Sequence, residues 1–135
     1  MSGITSMEVK KMTKKTLLII DDHQGFRQVL KSFIAKQFQD VGIKEAATGE
    51  EGLQLAVQER PDVALVDVNL PGMDGLQAAK WIKEAVPACQ IVTMSMFGGK
   101  GYVLKESAAF IEKSQIDNKL VPLLKKLLLN GKVER

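Results

Sequence analysis

An aspartate pair, Asp21 and Asp22, follows the apolar run TLLII at residues 16–20, and a third aspartate, Asp67, follows DVALV at 62–66. Ser95 comes directly after IVTM at 91–94, and Lys113 shortly after AAFI at 108–111. Short runs that are apolar on both faces read as buried strands, so these five side chains fall at strand ends. In an open parallel sheet, ligands bind outside the carboxyl ends of the strands. If the strand order brings the first and third strands together, three carboxylates converge. Carboxylates that close raise one another's pKa values, and a hard divalent cation relieves the repulsion. Mg²⁺ suits such a pocket, because it takes oxygen ligands, keeps several waters and favours one or two carboxylates beside a phosphate. A carboxylate can also attack phosphorus and give an acyl phosphate. That transfer needs positioning and charge neutralisation more than elaborate covalent machinery. One ammonium and one hydroxyl would serve beside the ion, and Lys113 and Ser95 carry them. One aspartate at a strand end is ordinary turn or cap chemistry. Three aspartates, a serine and a lysine at successive strand ends are a pattern that turn chemistry does not explain.

The elements that must hold these groups alternate in type. After Asp22, the residues Phe26, Val29, Leu30, Phe33, Ile34 and Phe38 recur on one face of a helix. Residues 42–47 form a weaker strand. Thr48 and Glu51 have capping-box spacing at the start of a second helix, whose inner face is read as Leu53, Ala56 and Val57. Pro61 ends that helix. The loop NLPGMDG follows Asp67 after one residue and leads into a helix over 75–85. The last helix runs over 116–129, with Leu120, Leu123, Leu124, Leu127 and Leu128 inward; with Asn118 as its N-cap, Pro122 falls where a missing N–H costs no internal bond. Strands alternating with helices imply right-handed crossovers and a parallel sheet covered on both faces.

At 135 residues the chain has room for one domain, and 45% apolar with 26% charged residues is an ordinary globular balance. The organisation expected is a flexible N-terminal extension over 1–15, one domain over 16–130 and a short tail over 131–135. No stretch approaches the roughly 20 apolar residues of a membrane span, and the first residues carry lysines without the apolar segment of a secretory signal. The single Cys89 excludes an internal disulfide, and no Cys/His spacing points to zinc. This fits a reducing, cytoplasmic compartment. The formal net charge of +3 comes from lysines near both ends with no aromatics among them, so direct DNA binding by this chain is not indicated. His23 reads as a surface residue at a helix start, Trp81 as a partly buried helix residue, and Cys89 as an unreactive small side chain.

Taken together, LLIIDDHQGFR (17–27), EAATGEEGL (45–53), PDVALVDVNLPGMDG (61–75) and IVTMS (91–95) resemble the receiver domain of two-component response regulators, in particular receivers that precede helix-turn-helix DNA-binding domains. The resemblance runs from about residue 16 to 129, and the 61–75 segment is its most specific part. It implies a flavodoxin-like sandwich with five parallel strands in the order 2-1-3-4-5. It implies Asp67 as the phosphoacceptor and a sensor histidine kinase or phosphotransfer protein as the donor. Asp22 and Asp67 would bind Mg²⁺ directly, Asp21 mainly through water, and Asn69 through its backbone carbonyl. Ser95 takes the position of the hydroxyl residue that follows the phosphoryl group, and Phe110 that of an aromatic switch residue, although a plain core aromatic explains it equally well.

Two segments compete for the family's lysine. GKGYVLKES (99–107) offers Lys105 with Tyr102, and SAAFIEKS (107–114) offers Lys113 with Phe110. Lys105 comes only ten positions after Ser95, too few for a helix and a strand, whereas Lys113 comes eighteen after it. The spacing favours Lys113. The helix between the fourth and fifth strands is then expected to be short or irregular, since Gly98, Gly99 and Gly101 each cost a helix roughly 1 kcal/mol. Met96 stands where the family usually has a small residue, and its bulk bears on access to Asp67. The leading expectation is a phosphorylation-driven switch that performs no chemistry beyond its own phosphorylation and dephosphorylation. The alternative is a receiver-like interaction module that no longer switches. A free-standing phosphatase is disfavoured, because no second acid–base set is present.

Overall fold

Five parallel strands form one sheet in the order β2-β1-β3-β4-β5. The computed structural model describes residues 14–96 and 107–130. The strands are β1 (Lys15–Ile20), β2 (Val41–Ala46), β3 (Val63–Asp67), β4 (Gln90–Ser95) and β5 (Ala109–Glu112). The helices are α1 (Gln24–Gln37), α2 (Gly49–Glu59), α3 (Gly75–Ala85) and α4 (Ile116–Leu124). The sheet order, direction and two-sided cover agree with the sequence expectation. The expected short helix after β4, together with Lys105 and Tyr102, lies outside the described residues, as do residues 1–13 and 131–135.

Alternation along the strands divides the core. Leu17, Ile19, Val63, Leu65, Val92, Met94 and Ile111 point to one face and pack with Leu30 and Ile34 of α1 and Leu120 and Leu124 of α4. Leu18, Ile20, Ala64, Val66 and Ile91 point to the other and pack with Ala56 of α2 and Ala79 and Ile82 of α3. Every residue of β3 is buried, as expected of a strand central to a sheet covered on both sides. No helix among the described residues is long and apolar enough to cross a membrane.

Local chemistry sets the helix ends. The Thr48 side chain accepts from Glu51 N at 3.0 Å, and Glu51 Oε1 in turn accepts from Ala47 N at 2.9 Å, one residue before the position of a standard capping box. Asp74 caps α3 by accepting from Gln77 N at 3.0 Å. The Lys83 ammonium closes the other end through Pro87 O and Cys89 O. Cys89 is fully buried, and burial pushes its thiol up to about 12, so it is unreactive at neutral pH.

Three sequence expectations are corrected. Val29 is 68% exposed and Val57 is 49% exposed, so neither belongs to the core; Leu55 packs against it beside Leu53 instead. The last helix starts at Ile116 as expected, but Asn118 is not its N-cap: a 3₁₀ turn over Lys113–Gln115 runs into α4, with Gln115 at the N-cap. Pro122 therefore lies inside α4, and the segment Lys125–Asn130 that follows is π-helical. A proline that withholds an N–H from the preceding turn favours such a local change in pairing.

Candidate functional site

The strand register brings the reactive groups to one level. Ile20 pairs with Val66, which sets Asp21 beside Asp67; Asp67 pairs with Met94, one residue before Ser95; and Ser95 pairs with Glu112, one residue before Lys113. The order β1-β3-β4-β5 thus lines up Asp21, Asp67, Ser95 and Lys113 along the carboxyl edge. Asp21, Asp67 and Ser95 are all buried. Asp22 turns outward, with about a third of its side chain exposed.

Lys113 is the hub. Its Nζ lies 2.6 Å from Asp21 Oδ2 and 3.1 Å from Asp67 Oδ2, and its side chain is only 5% exposed. Burial works to lower the ammonium's pKa, but the two carboxylates outweigh it and raise it above the usual lysine value. The same Nζ sits 4.4 Å from the centre of the Phe26 ring.

The other oxygens are held by short local bonds. Asp67 Oδ1 accepts from Asn69 N at 2.9 Å, and Asp21 Oδ1 accepts from His23 N at 2.8 Å. The Ser95 hydroxyl donates to Asn69 Oδ1 at 3.1 Å. Behind the pocket, Arg27 donates to the Asp21 carbonyl at 2.6 Å and to Glu45 Oε1 at 3.1 Å. The turn after Asp67 is built to measure as well. Gly72 adopts φ +73°, and a Cβ on Gly75 would meet the Asp67 carbonyl oxygen and Val68 Cα at impossible distances.

The donor set fits a hard cation. One ligand atom from each of Asp21, Asp22, His23 and Asp67 falls within a span of 4.8 Å. Asp21 Oδ2 is buried and, among the described residues, accepts no hydrogen bond of good geometry, although the Lys113 ammonium lies 2.6 Å away. A buried carboxylate oxygen with spare acceptor capacity, beside a half-open aspartate, is what an oxygen-seeking divalent ion uses.

All the residues singled out from sequence for this pocket, Asp21, Asp22, Asp67, Asn69, Ser95 and Lys113, come together. Phe110 stands apart on β5, half-buried and paired with Thr93. Met96 is 63% exposed. His23 is a largely exposed N-cap residue, with Nδ1 3.4 Å from both Asp21 Oδ1 and Asp22 Oδ1. Sequence reading missed Phe26 and Arg27 as neighbours of the site. Both sit in the first turn of α1, one turn from the aspartate pair, and that proximity was the available signal.

Comparison with known proteins agrees with this fold. The family model described as "Response regulator receiver domain" matches residues 17–122. Among curated proteins, the transcriptional regulatory protein LiaR of Bacillus subtilis is 36% identical over 105 residues, covering 69% of this chain and 50% of that protein. The nitrate/nitrite response regulator protein NarL of Escherichia coli is 34% identical over 103 residues, covering 67% and 48%. The chain thus spans about half the length of these relatives. Among solved structures, the REC domain of AraT, a response regulator from Geobacillus stearothermophilus, superposes with a TM-score of 0.76 at 26% identity, covering 90% of this chain and 98% of that one.

Proposed function

Because the chain belongs to the response regulator receiver domain family, we propose that it accepts a phosphoryl group on Asp67 from a sensor histidine kinase or phosphotransfer protein, with Mg²⁺ as cofactor. The observation that carries this reading is the Lys113 ammonium held at 2.6 Å from Asp21 and 3.1 Å from Asp67, two buried carboxylates otherwise in mutual repulsion.

In the proposed reaction the Asp67 carboxylate attacks phosphorus. A P–O bond forms as the P–N bond to the donor's imidazole breaks, and the imidazole leaves with a proton from solvent. The Asn69 N–H steadies Asp67 Oδ1 while the other oxygen faces Lys113. The same ammonium then meets the phosphoryl oxygens with little movement, and the Ser95 hydroxyl turns from Asn69 to donate to them. Asp22 and Asp67 would hold Mg²⁺ directly, with the Asn69 carbonyl, and Asp21 would act from behind them. The bound ion would offset negative charge on the transferring group.

The switch rests on Ser95 and Phe110. Phe110 lines an open groove of about 410 Å³ with Asn118, Lys119, Pro122 and Leu123, which leaves its ring room to change position when Ser95 moves. Phosphorylation then shifts a two-state equilibrium read by an output partner. The chain does no other enzymatic chemistry in this reading and works in the cytoplasm; no direct contact with DNA is assigned to it.

The test is intact-mass spectrometry after incubation with acetyl phosphate, with and without Mg²⁺, on the wild type and Asp67→Asn. One phosphoryl adduct, lost in the variant and without the ion, is the expected result. A folded wild type that takes no adduct would instead favour the non-switching interaction module.

A further inference from the structure

Phe26 lies outside the set of groups that touch phosphorus in the proposed reaction, yet its ring centre is 4.4 Å from the Lys113 Nζ. The ring is part-buried in the first turn of α1 and packs against the core on that face of the sheet. Lys113 begins the 3₁₀ turn after β5, so the contact joins the first turn of α1 to the end of β5.

An ammonium at 5% side-chain exposure must be met by polarity to remain charged. Asp21 and Asp67 meet it on two sides. The negative face of an aromatic ring meets it on a third, and this attraction grows as water is excluded. A lysine also has a flexible four-carbon stem that does not fix its own head group. Carboxylates alone would let the ammonium slide between them, and a rigid ring limits where it can sit.

We propose that Phe26 is a positioning residue for the phosphoryl-accepting reaction, its ring fixing the Lys113 ammonium between Asp21 and Asp67. This rests on the proposed function for its consequence, but not for the contact itself. The alternative is that Phe26 is packing only, in which case any apolar residue of similar size serves as well.

Two readouts on the full chain separate these. The first is the ¹⁵N–¹H signal of the Lys113 ammonium, identified by its loss in Lys113→Met. It should exchange slowly in the wild type and in Phe26→Tyr, which keeps the ring. In Phe26→Leu it should exchange roughly threefold to thirtyfold faster, the range expected for losing a desolvated ring–cation contact. The second is the rate of Asp67 phosphorylation by acetyl phosphate at saturating Mg²⁺, which should fall in the Leu variant and be kept in the Tyr variant. Should Phe26→Leu fail to fold, Phe26→Met keeps apolar bulk without a ring. An ammonium signal that is absent from the wild type, or equal in Leu and wild type, overturns the proposal. So does a Tyr variant that behaves like Leu. If the wild type takes no phosphoryl group, the proposed function falls and the ammonium signal alone decides the role of Phe26.

Discussion

The Ser95 hydroxyl donates to the Asn69 side-chain oxygen across 3.1 Å, tying the end of β4 to the loop that leaves Asp67. Asn69 is exposed while Ser95 is fully buried, so the bond spans the mouth of the pocket. Removing the hydroxyl leaves an acceptor that water can reach, and the fold should lose no more than about 1 kcal/mol. The proposed reaction loses a donor to a charged group, a larger effect. Ser95→Ala is therefore expected to slow phosphorylation of Asp67 by about tenfold or more with a urea midpoint lowered by less than about 1 M, and Ser95→Thr should keep most of the rate. A time course by mass spectrometry measures it. A large fall in midpoint with an unchanged rate would assign the hydroxyl a purely structural role.

Lys113 compensates two carboxylates that are 0% and 2% exposed. Replacing it with methionine leaves both buried without their cation, and breaking such an arrangement costs about 3–5 kcal/mol. The loss should be partly reversed by millimolar Mg²⁺, because a ligand that binds only the folded state stabilises it by mass action. Urea denaturation of Lys113→Met with and without Mg²⁺ checks both halves. Asp67→Asn in the same background should recover stability without the ion. An Mg²⁺-independent midpoint in Lys113→Met would argue against a cation site in this acidic pocket.

Two glycines give a graded prediction. A Cβ on Gly75 would fall 1.9 Å from the Asp67 carbonyl oxygen and 2.6 Å from Val68 Cα, both backbone atoms that cannot step aside. A Cβ on Gly52 would fall 2.8 Å from Ile20 Cγ1 and closer still to Cδ1, side-chain atoms of a fully buried residue that can give way only by repacking. Overpacking that neighbouring side chains absorb by leaving their preferred rotamers costs about 1–3 kcal/mol. Gly52→Ala is expected within that range, and Gly75→Ala above it, with displacement of Asp67 and loss of phosphorylation. Thermal melts of the two variants rank them; the reverse order would contradict the packing described.

The strands and the pocket were legible because their signals are local. DVALV and IVTM are buried on both faces, and a parallel sheet then leaves only the carboxyl edge for Asp21, Asp67, Ser95 and Lys113. The span of α3 was legible from Asp74 and the loop before it. Periodicity alone misassigned Val29 and Val57, because a helix lying on a sheet buries a narrower stripe than its apolar residues cover. The start of α4 at Ile116 was read, but its N-cap was misplaced for another reason. Pro122 argued for Asn118 as the N-cap, but the 3₁₀ turn at Lys113 had already set the chain on a helical course, and the proline is accommodated inside it. The role of Phe26 was hidden because its partner lies 87 positions away in sequence, and no local spacing records that meeting.

Arg27 extends the site backward into a titrating network. Its guanidinium donates to the Asp21 carbonyl at 2.6 Å and to Glu45 Oε1 at 3.1 Å, while Lys31 Nζ lies 3.1 Å from Glu45 Oε2. The hydrogen bond from Lys31 holds the Glu45 carboxyl below its ordinary value of 4.5; partial burial opposes the shift and Arg27 reinforces it. Because the folded-state pKa is the lower one, the stabilisation is fully present above about pH 4.5 and is lost as pH falls through the depressed value. The Lys31 half of the network is largely solvated, so salt should weaken it. The stability difference between wild type and Glu45→Gln is thus expected to be constant between about pH 6 and 8 and to shrink below pH 4.5. Urea midpoints at several pH values, in low and high salt, provide the measurement. A difference that persisted unchanged to pH 3 would mean that folding does not lower the Glu45 pKa and that its contribution does not come from the charge.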